Sequence, residues 1–154
     1  MGTPSEPCNT NRGLHRVRLS DNTVTGFVAF GTKPRDPVIS ADGSTIYVPD
    51  YAENQIYVVD AGSMTVTRTI AVPGGPVAAV LTADGTHLIV ARWDVGDIAL
   101  INATTGQGAG AIASGGVHPT ALLLGENNVV VVLNYGDPDT DTNGAIATFR
   151  YTIP

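Results

Sequence analysis

The acidic segment from Asp137 to Gly144 has the spacing best suited to metal chemistry in this sequence. Its candidate ligands alternate with other residues and are Asp137, Asp139, Asp141 and Asn143. Alternate carboxylates on a tight loop bring several hard oxygens to one point, which suits Ca²⁺. The segment also matches the opening of an EF-hand loop, but Arg150 stands where the bidentate glutamate belongs, so an EF-hand is excluded. The sequence therefore predicts either a small Ca²⁺ loop or a solvated acidic loop, and it indicates no other cofactor.

A second set of candidates combines aromatic and charged side chains. Tyr51, Trp93 and Tyr135 follow one another at intervals of 42 residues. Aromatic side chains on neighbouring loops could form a surface for sugars, peptides or another protein, or they could pack as wedges between neighbouring sheets. The predicted ligand or partner face comprises Arg35, Asp36, Asp50, Tyr51, Arg92, Trp93, Asp94, His118 and Tyr135.

Motifs for catalysis are lacking. The sequence has no Gly-x-Ser-x-Gly elbow, phosphate-binding loop or His-Glu-x-x-His pattern. We therefore predict no catalytic residues and favour a non-enzymatic role.

Composition narrows the class of protein. The chain has 154 residues, of which 43% are hydrophobic, enough for one domain with a buried core. Its net charge of −6, with eight scattered Lys and Arg residues, argues against nucleic-acid binding. No apolar run approaches the roughly 20 residues that span a bilayer. The single Cys8 excludes an internal disulfide framework.

Composition gives a first indication of the compartment. The N-terminus shows no signal peptide, because it lacks both a basic start and an apolar stretch. Only 14% of the residues are charged, and short polar residues are abundant. We therefore expect an extracellular, cell-surface or periplasmic protein.

The elements that must position these candidates come from an internal repeat. Ala41-Asp42-Gly43 recurs 42 residues later as Ala83-Asp84-Gly85, and aliphatic residues recur in the same register. Each unit reads as four short strands separated by turns, with Asp-Gly favouring a hairpin. Four antiparallel strands every 40 or so residues are typical of a β-propeller blade. We thus predict an all-β fold of propeller blades that form an incomplete ring.

The repeat divides the chain into a tail and four blades or part-blades. We predict an N-terminal tail over residues 1–13 and a propeller segment over 14–154. Within it, residues 14–33 form a half blade, 34–75 and 76–117 form complete blades, and 118–154 form a three-stranded blade. The predicted total is thirteen strands.

The second unit also carries a family resemblance. Asp42 to Asp60 includes Tyr47-Val48-Pro49-Asp50, and it resembles the repeat of YVTN-family β-propellers. That resemblance implies a propeller fold and a bacterial or archaeal surface or periplasmic protein. Related propellers include lactonases and cofactor-bearing dehydrogenase subunits, so fold is implied more sharply than function.

An open arc of blades has consequences for assembly. It would expose apolar sheet faces and unpaired strand edges, which favour association. We expect self-association as a dimer or larger, or pairing with a second propeller chain. The function that follows is a non-enzymatic scaffold for binding and assembly. The alternatives are a lactonase-like or cofactor-assisted enzyme completed by oligomerisation, and a truncated fragment without independent function.

Overall fold

The fold is built entirely from antiparallel β-sheets. A computed structural model describes residues 12–137, 139 and 144–152. These residues form thirteen strands in four sheets, which confirms the predicted all-β fold with an unclosed ring of propeller-like sheets. Within the described residues, no helix is long and apolar enough to cross a membrane. Most of the predicted tail, including Cys8, lies outside the described residues.

The first and last sheets have fewer strands than the two between them. The first sheet pairs β1 (Gly13–Arg18) with β2 (Thr23–Ala29). The second comprises β3 (Val38–Ile39), β4 (Thr45–Asp50), β5 (Gln55–Asp60) and β6 (Thr65–Ala71). The third comprises β7 (Pro76–Leu81), β8 (His87–Arg92), β9 (Asp97–Asn102) and β10 (Gly108–Ala113). The fourth comprises β11 (Pro119–Leu124), β12 (Val129–Asn134) and β13 (Ala145–Arg150).

The turn that follows each innermost strand of the two four-stranded sheets is held by an aspartate. Asp42 accepts hydrogen bonds from Ser40 Oγ at 2.5 Å and from the Ser44 amide at 3.0 Å. Asp84 occupies the same repeat position and accepts from Thr82 Oγ1 at 2.6 Å. Gly43 and Gly85 both adopt φ +72°, a left-handed conformation that glycine tolerates without a steric penalty. The repeated Asp-Gly therefore sets where these strands reverse.

Apolar side chains on both faces of each inner sheet form the core. Val48 and Val59 of the second sheet pack in one cluster with Val28 of the first sheet. The opposite face of the second sheet meets the third in the largest cluster, whose buried members include Ile56 and Leu88. A third cluster joins the third and fourth sheets. Alternation along each strand thus places neighbouring residues in different interfaces.

The outer face of the fourth sheet is open. Ile146 on β13 is 72% exposed, whereas Ile98, at the same repeat position, is 4% exposed between two sheets. Leu123 and Leu133 are also exposed there. The first sheet likewise leaves Val24 and Phe27 exposed on the side away from the second sheet. The two ends of the arc therefore present apolar surface of the kind that is buried at its internal interfaces.

Candidate functional site

The predicted face is formed by two kinds of segment at one end of the sheets. One kind joins the second and third strands of a sheet, as between β4 and β5 and between β8 and β9. The other leads into the innermost strands β3, β7 and β11. We call this end the loop face.

Asp50, one of the predicted residues, holds its loop in place. Asp50 is fully buried, and its carboxylate accepts hydrogen bonds from the amides of Lys33, Ala52 and Glu53 at 3.1–3.3 Å. The Asp50 carboxylate is thereby occupied by backbone donors.

Arg92 occupies the equivalent position in the next sheet. Its guanidinium pairs with Asp97 through Nε–Oδ1 at 2.7 Å and Nη2–Oδ2 at 2.5 Å. It also donates to the Pro73 carbonyl at 3.1 Å. The side chains of Arg92 and Asp97 are 18% and 16% exposed, so this ion pair is partly shielded from water.

Tyr51 links two successive loops. Its hydroxyl donates to Asp94 Oδ1 at 2.8 Å, and this hydrogen bond to a carboxylate raises the pKa of the Tyr51 phenol. Lys33 Nζ and Arg35 Cζ lie 5.5 Å and 5.6 Å from the centre of the same ring. Cations at this distance from an aromatic face are attracted to it. Tyr51 therefore bridges two loops and packs against a core cluster, as expected of a side chain between sheets, and its ring lies beside two cationic side chains of the chain itself.

Trp93 is the centre of an aromatic cluster. It stacks on His118 with ring centroids 4.5 Å apart and 19° between the planes. Tyr135 lies 5.8 Å from Trp93 and is exposed. His118 Nδ1 is 3.2 Å from the Trp93 carbonyl oxygen, and the His118 backbone has φ 53°. The structure thus brings together three predicted residues from two neighbouring sheets.

A cavity of about 150 Å³ adjoins Trp93. Its remaining lining residues are Arg35, Asp36, Val77 and Thr120. Arg35, Val77 and Thr120 each follow a proline at the entry to an innermost strand, namely Pro34, Pro76 and Pro119. Three successive sheets therefore contribute the same structural position to one cavity.

Val77 and Thr120 were missed by sequence reasoning, which followed chemical type. The recurrent proline before each inner strand was the signal that could have identified them, because equivalent positions converge when blades surround an axis.

The predicted Ca²⁺ loop falls only partly within the described residues. The amide of Asp139 donates to Asp137 Oδ1 at 2.9 Å, a local turn contact. Asp141 and Asn143 lie outside the described residues. Across the part of the chain that the structure describes, no group of three His, Cys, Asp or Glu residues is placed to hold a metal ion. The Ca²⁺ site remains a prediction.

Comparison with solved structures gives a fold relationship. Kuenenia stuttgartiensis hydrazine synthase matches with a TM-score of 0.80 and 20% identity, over 90% of this chain and 40% of that one. A protein of unknown function from Bacteroides caccae matches with a TM-score of 0.69 and 12% identity, over 84% of this chain and 52% of that one. The chain thus spans roughly half or less of the length of each of these structures. These likenesses support a β-propeller-like fold.

Comparisons by sequence add no family. No protein-family model matches the chain, and no curated protein matches it.

Proposed function

We propose that the protein is a non-enzymatic scaffold of YVTN type that binds a ligand or a protein segment on its loop face. One observation carries this proposal: Arg35, Val77 and Thr120, from three successive sheets, converge beside Trp93 on a single cavity. A concave site that combines an aromatic surface with a few polar groups is the usual setting for ligand recognition.

The chemistry of the cavity favours binding of a small polar molecule with an apolar face. Trp93 offers a flat ring, Arg35 offers donors, Asp36 offers acceptors and Thr120 offers a hydroxyl. Exposed Tyr135 extends the aromatic surface beyond the cavity. Sugars and short peptides combine these features.

Trp93 supplies a built-in reporter for this function because it is the only tryptophan in the chain. We expect its fluorescence to change on titration with one or more members of a panel of neutral oligosaccharides and short peptides. Arg35→Ala should weaken that response at least tenfold. Arg12→Ala is the matched control, since Arg12 is an arginine that bonds the Thr32 carbonyl at 2.9 Å and does not line the cavity.

Two results would contradict the proposal. A Trp93 signal that stays flat across the panel would remove its support. Hydrolysis of lactones that Asp36→Asn abolishes would instead favour the lactonase-like enzyme, because Asp36 is the carboxylate that lines the cavity.

The proposed scaffold role also includes assembly, in which a second copy or a second propeller chain covers the open sheet faces. Ile146 and Leu123, 72% and 69% exposed, support this part of the proposal, because burial of such surface is favourable. We expect light scattering to give a mass above 15.9 kDa or a defined complex with a partner chain. Ile146→Asp should reduce the association, whereas Val95→Asp, at an exposed loop position, should not.

The proposed compartment is extracellular, cell-surface or periplasmic. The low charged fraction of 14% and the resemblance of the second unit support it. Fractionation of cells that express the native gene tests this part, and recovery in the cytoplasm alone would contradict it.

A further inference from the structure

The cavity beside Trp93 carries its charges on one sheet and its apolar surface on the next. Both charged lining residues, Arg35 and Asp36, belong to the segment that leads into β3 of the second sheet. The apolar lining comes from the third sheet, as Val77 of β7 and Trp93 of the loop after β8. Thr120 of β11 adds one hydroxyl from the fourth sheet. The cavity is therefore suited to a ligand that has a charged part and an apolar part.

The segment that carries the two charges is bound to the end of β4 through its backbone. The Arg35 amide donates to the Pro49 carbonyl at 2.7 Å, and the Lys33 carbonyl accepts from the Tyr51 amide at 3.1 Å. These bonds fix the backbone from which the charged side chains extend. A ligand therefore needs to order only the side chains, which lowers the entropic cost of binding.

Two cations lie close together at the Arg35 end of the cavity. Lys33 Nζ and Arg35 Cζ are 5.5 Å and 5.6 Å from the centre of the Tyr51 ring. Two positive charges beside one ring repel each other, and an anion bound at Arg35 reduces that repulsion. The planar guanidinium of Arg35 can bind a carboxylate through two parallel hydrogen bonds. This end of the cavity therefore favours a carboxylate.

The remaining polar groups of the cavity accept hydrogen bonds. Thr120 Oγ1 donates its proton to the Leu133 carbonyl at 3.2 Å, so its lone pairs are what it offers to a ligand. The Asp36 carboxylate also accepts, and no ion pair joins it to Arg35 among the described residues. An ammonium group, which only donates, suits both Asp36 and Thr120.

The size of the cavity limits the ligand. Its volume of about 150 Å³ is below the roughly 300–1,000 Å³ of pockets that hold drug-sized molecules. Its apolar surface is fixed in place, because Val77 is 8% exposed and the Trp93 ring stacks on His118. One residue-sized apolar group fits this surface better than an oligosaccharide, whose hydroxyls would lie against Val77 without hydrogen-bond partners.

We propose that this cavity binds a small zwitterion, namely an apolar amino acid or dipeptide. The ligand carboxylate pairs with Arg35, its ammonium group donates to Asp36 and Thr120, and its apolar side chain lies against Val77 and Trp93. This inference rests on the proposed binding function of the loop face and narrows its ligand class. A neutral sugar would displace water from Arg35 and Asp36 without supplying an opposite charge to either, which is unfavourable.

The probes are the dipeptide leucyl-leucine, its N-acetylated form, its C-amidated form and a neutral disaccharide. Each is titrated into the whole chain while Trp93 fluorescence is recorded, at ligand concentrations up to about 10 mM. We expect a saturable change with the free dipeptide. Each blocked form should bind at least tenfold more weakly, because it lacks one charge-assisted hydrogen-bonded contact.

Protein variants assign each ligand charge to its partner. Asp36→Asn should weaken the free dipeptide at least tenfold and leave the N-acetylated form unchanged, and Arg35→Gln should do the same for the free and C-amidated forms. A variant that merely distorted the cavity would weaken all of these ligands alike. Asp21→Asn is the control for Asp36→Asn, since Asp21 lies in the turn between β1 and β2 and does not line the cavity.

Three outcomes would overturn the inference. Equal binding of the free and blocked dipeptides would show that the ligand charges do not contribute. A response to the disaccharide without a response to the dipeptide would assign the cavity to a neutral sugar, and the proposed binding function would still stand. A flat signal with every ligand would contradict both, so failure of the inference is distinguishable from failure of the proposed function.

Discussion

The Tyr51 hydroxyl donates a 2.8 Å hydrogen bond to Asp94 Oδ1, across two successive loops of the repeat. The donor belongs to the loop after β4, and the acceptor belongs to the loop after β8. This bond fixes the spacing between two segments of the loop face. It also leaves the Tyr51 ring beside Lys33 and Arg35.

Removal of this bond should lower stability modestly. We expect Tyr51→Phe to reduce the free energy of unfolding by about 1 kcal/mol, the usual net contribution of one hydrogen bond. Urea unfolding of Tyr51→Phe, Asp94→Asn and the double variant gives the coupling energy. Additive effects of the two single changes would mean that the bond does not contribute.

Alkaline pH should weaken the same contact. The pKa of Tyr51 is raised in the folded state. The stability that its hydrogen bond gives the folded protein is therefore present below the unfolded pKa near 10, and it is lost as pH rises through the folded pKa. Ultraviolet titration should show a late ionisation step that is missing from Tyr51→Phe. An unchanged titration curve in the variant would contradict the assignment.

Acid should weaken the turns held by aspartate. Hydrogen bonds from Ser40 and Ser44 lower the pKa of Asp42 to about 2, and hydrogen bonds from Thr82 and Thr86 lower the pKa of Asp84. A lowered folded pKa gives stabilisation above the unfolded value near 4 that is lost as pH falls towards 2. The urea midpoint of the native protein should therefore fall across this range.

The corresponding control removes both titrating groups. Asp42→Asn with Asp84→Asn should be less stable at neutral pH and should show a flatter profile between pH 4 and pH 2. A profile as steep as that of the native protein would assign the acid sensitivity to other carboxyls.

Two equivalent isoleucines should differ in their contribution to stability. Ile70→Ala removes a side chain that is 2% exposed, and we expect a loss of about 2–5 kcal/mol. Ile112→Ala removes one that is 49% exposed, and the loss should be below about 1 kcal/mol because less apolar area is buried. Chemical denaturation of the two variants measures the difference. Equal losses would show that Ile112 is covered in solution.

The acidic loop should bind Ca²⁺ if its alternating carboxylates converge. We expect calorimetry to detect binding to the native chain, with at least a tenfold loss in Asp139→Asn combined with Asp141→Asn. Asp42→Asn is the control, since Asp42 belongs to the turn between β3 and β4 and not to the acidic loop. Absence of any Ca²⁺ heat from the native chain would favour the solvated loop.

The pattern of the sequence was sufficient to predict the strands and their order. The structure has the thirteen strands that the repeat predicts. The extent of each strand depends on its pairing, and β3 has two residues because only Val38 and Ile39 pair with β4.

The roles of the loop residues were harder to predict. Asp50 and Asp94 are both acidic loop residues in the sequence. Asp50 is fully buried and accepts hydrogen bonds from backbone amides, whereas Asp94 is exposed and accepts one from the Tyr51 hydroxyl. Their chemical type is the same, and the difference arises from the donors around each one, which are the amides of Lys33, Ala52 and Glu53 for Asp50 and the Tyr51 hydroxyl for Asp94.

The sequence by itself determined the repeat, the alternation of apolar residues and the Asp-Gly turns, because these are local properties that act within a few residues. Only the tertiary structure decided that Arg35, Val77 and Thr120 meet beside Trp93. Only the tertiary structure likewise revealed that Met64 packs over Gly26. Both depend on how successive sheets stack, and the stacking joins residues about 40 positions apart whose contact no local pattern specifies.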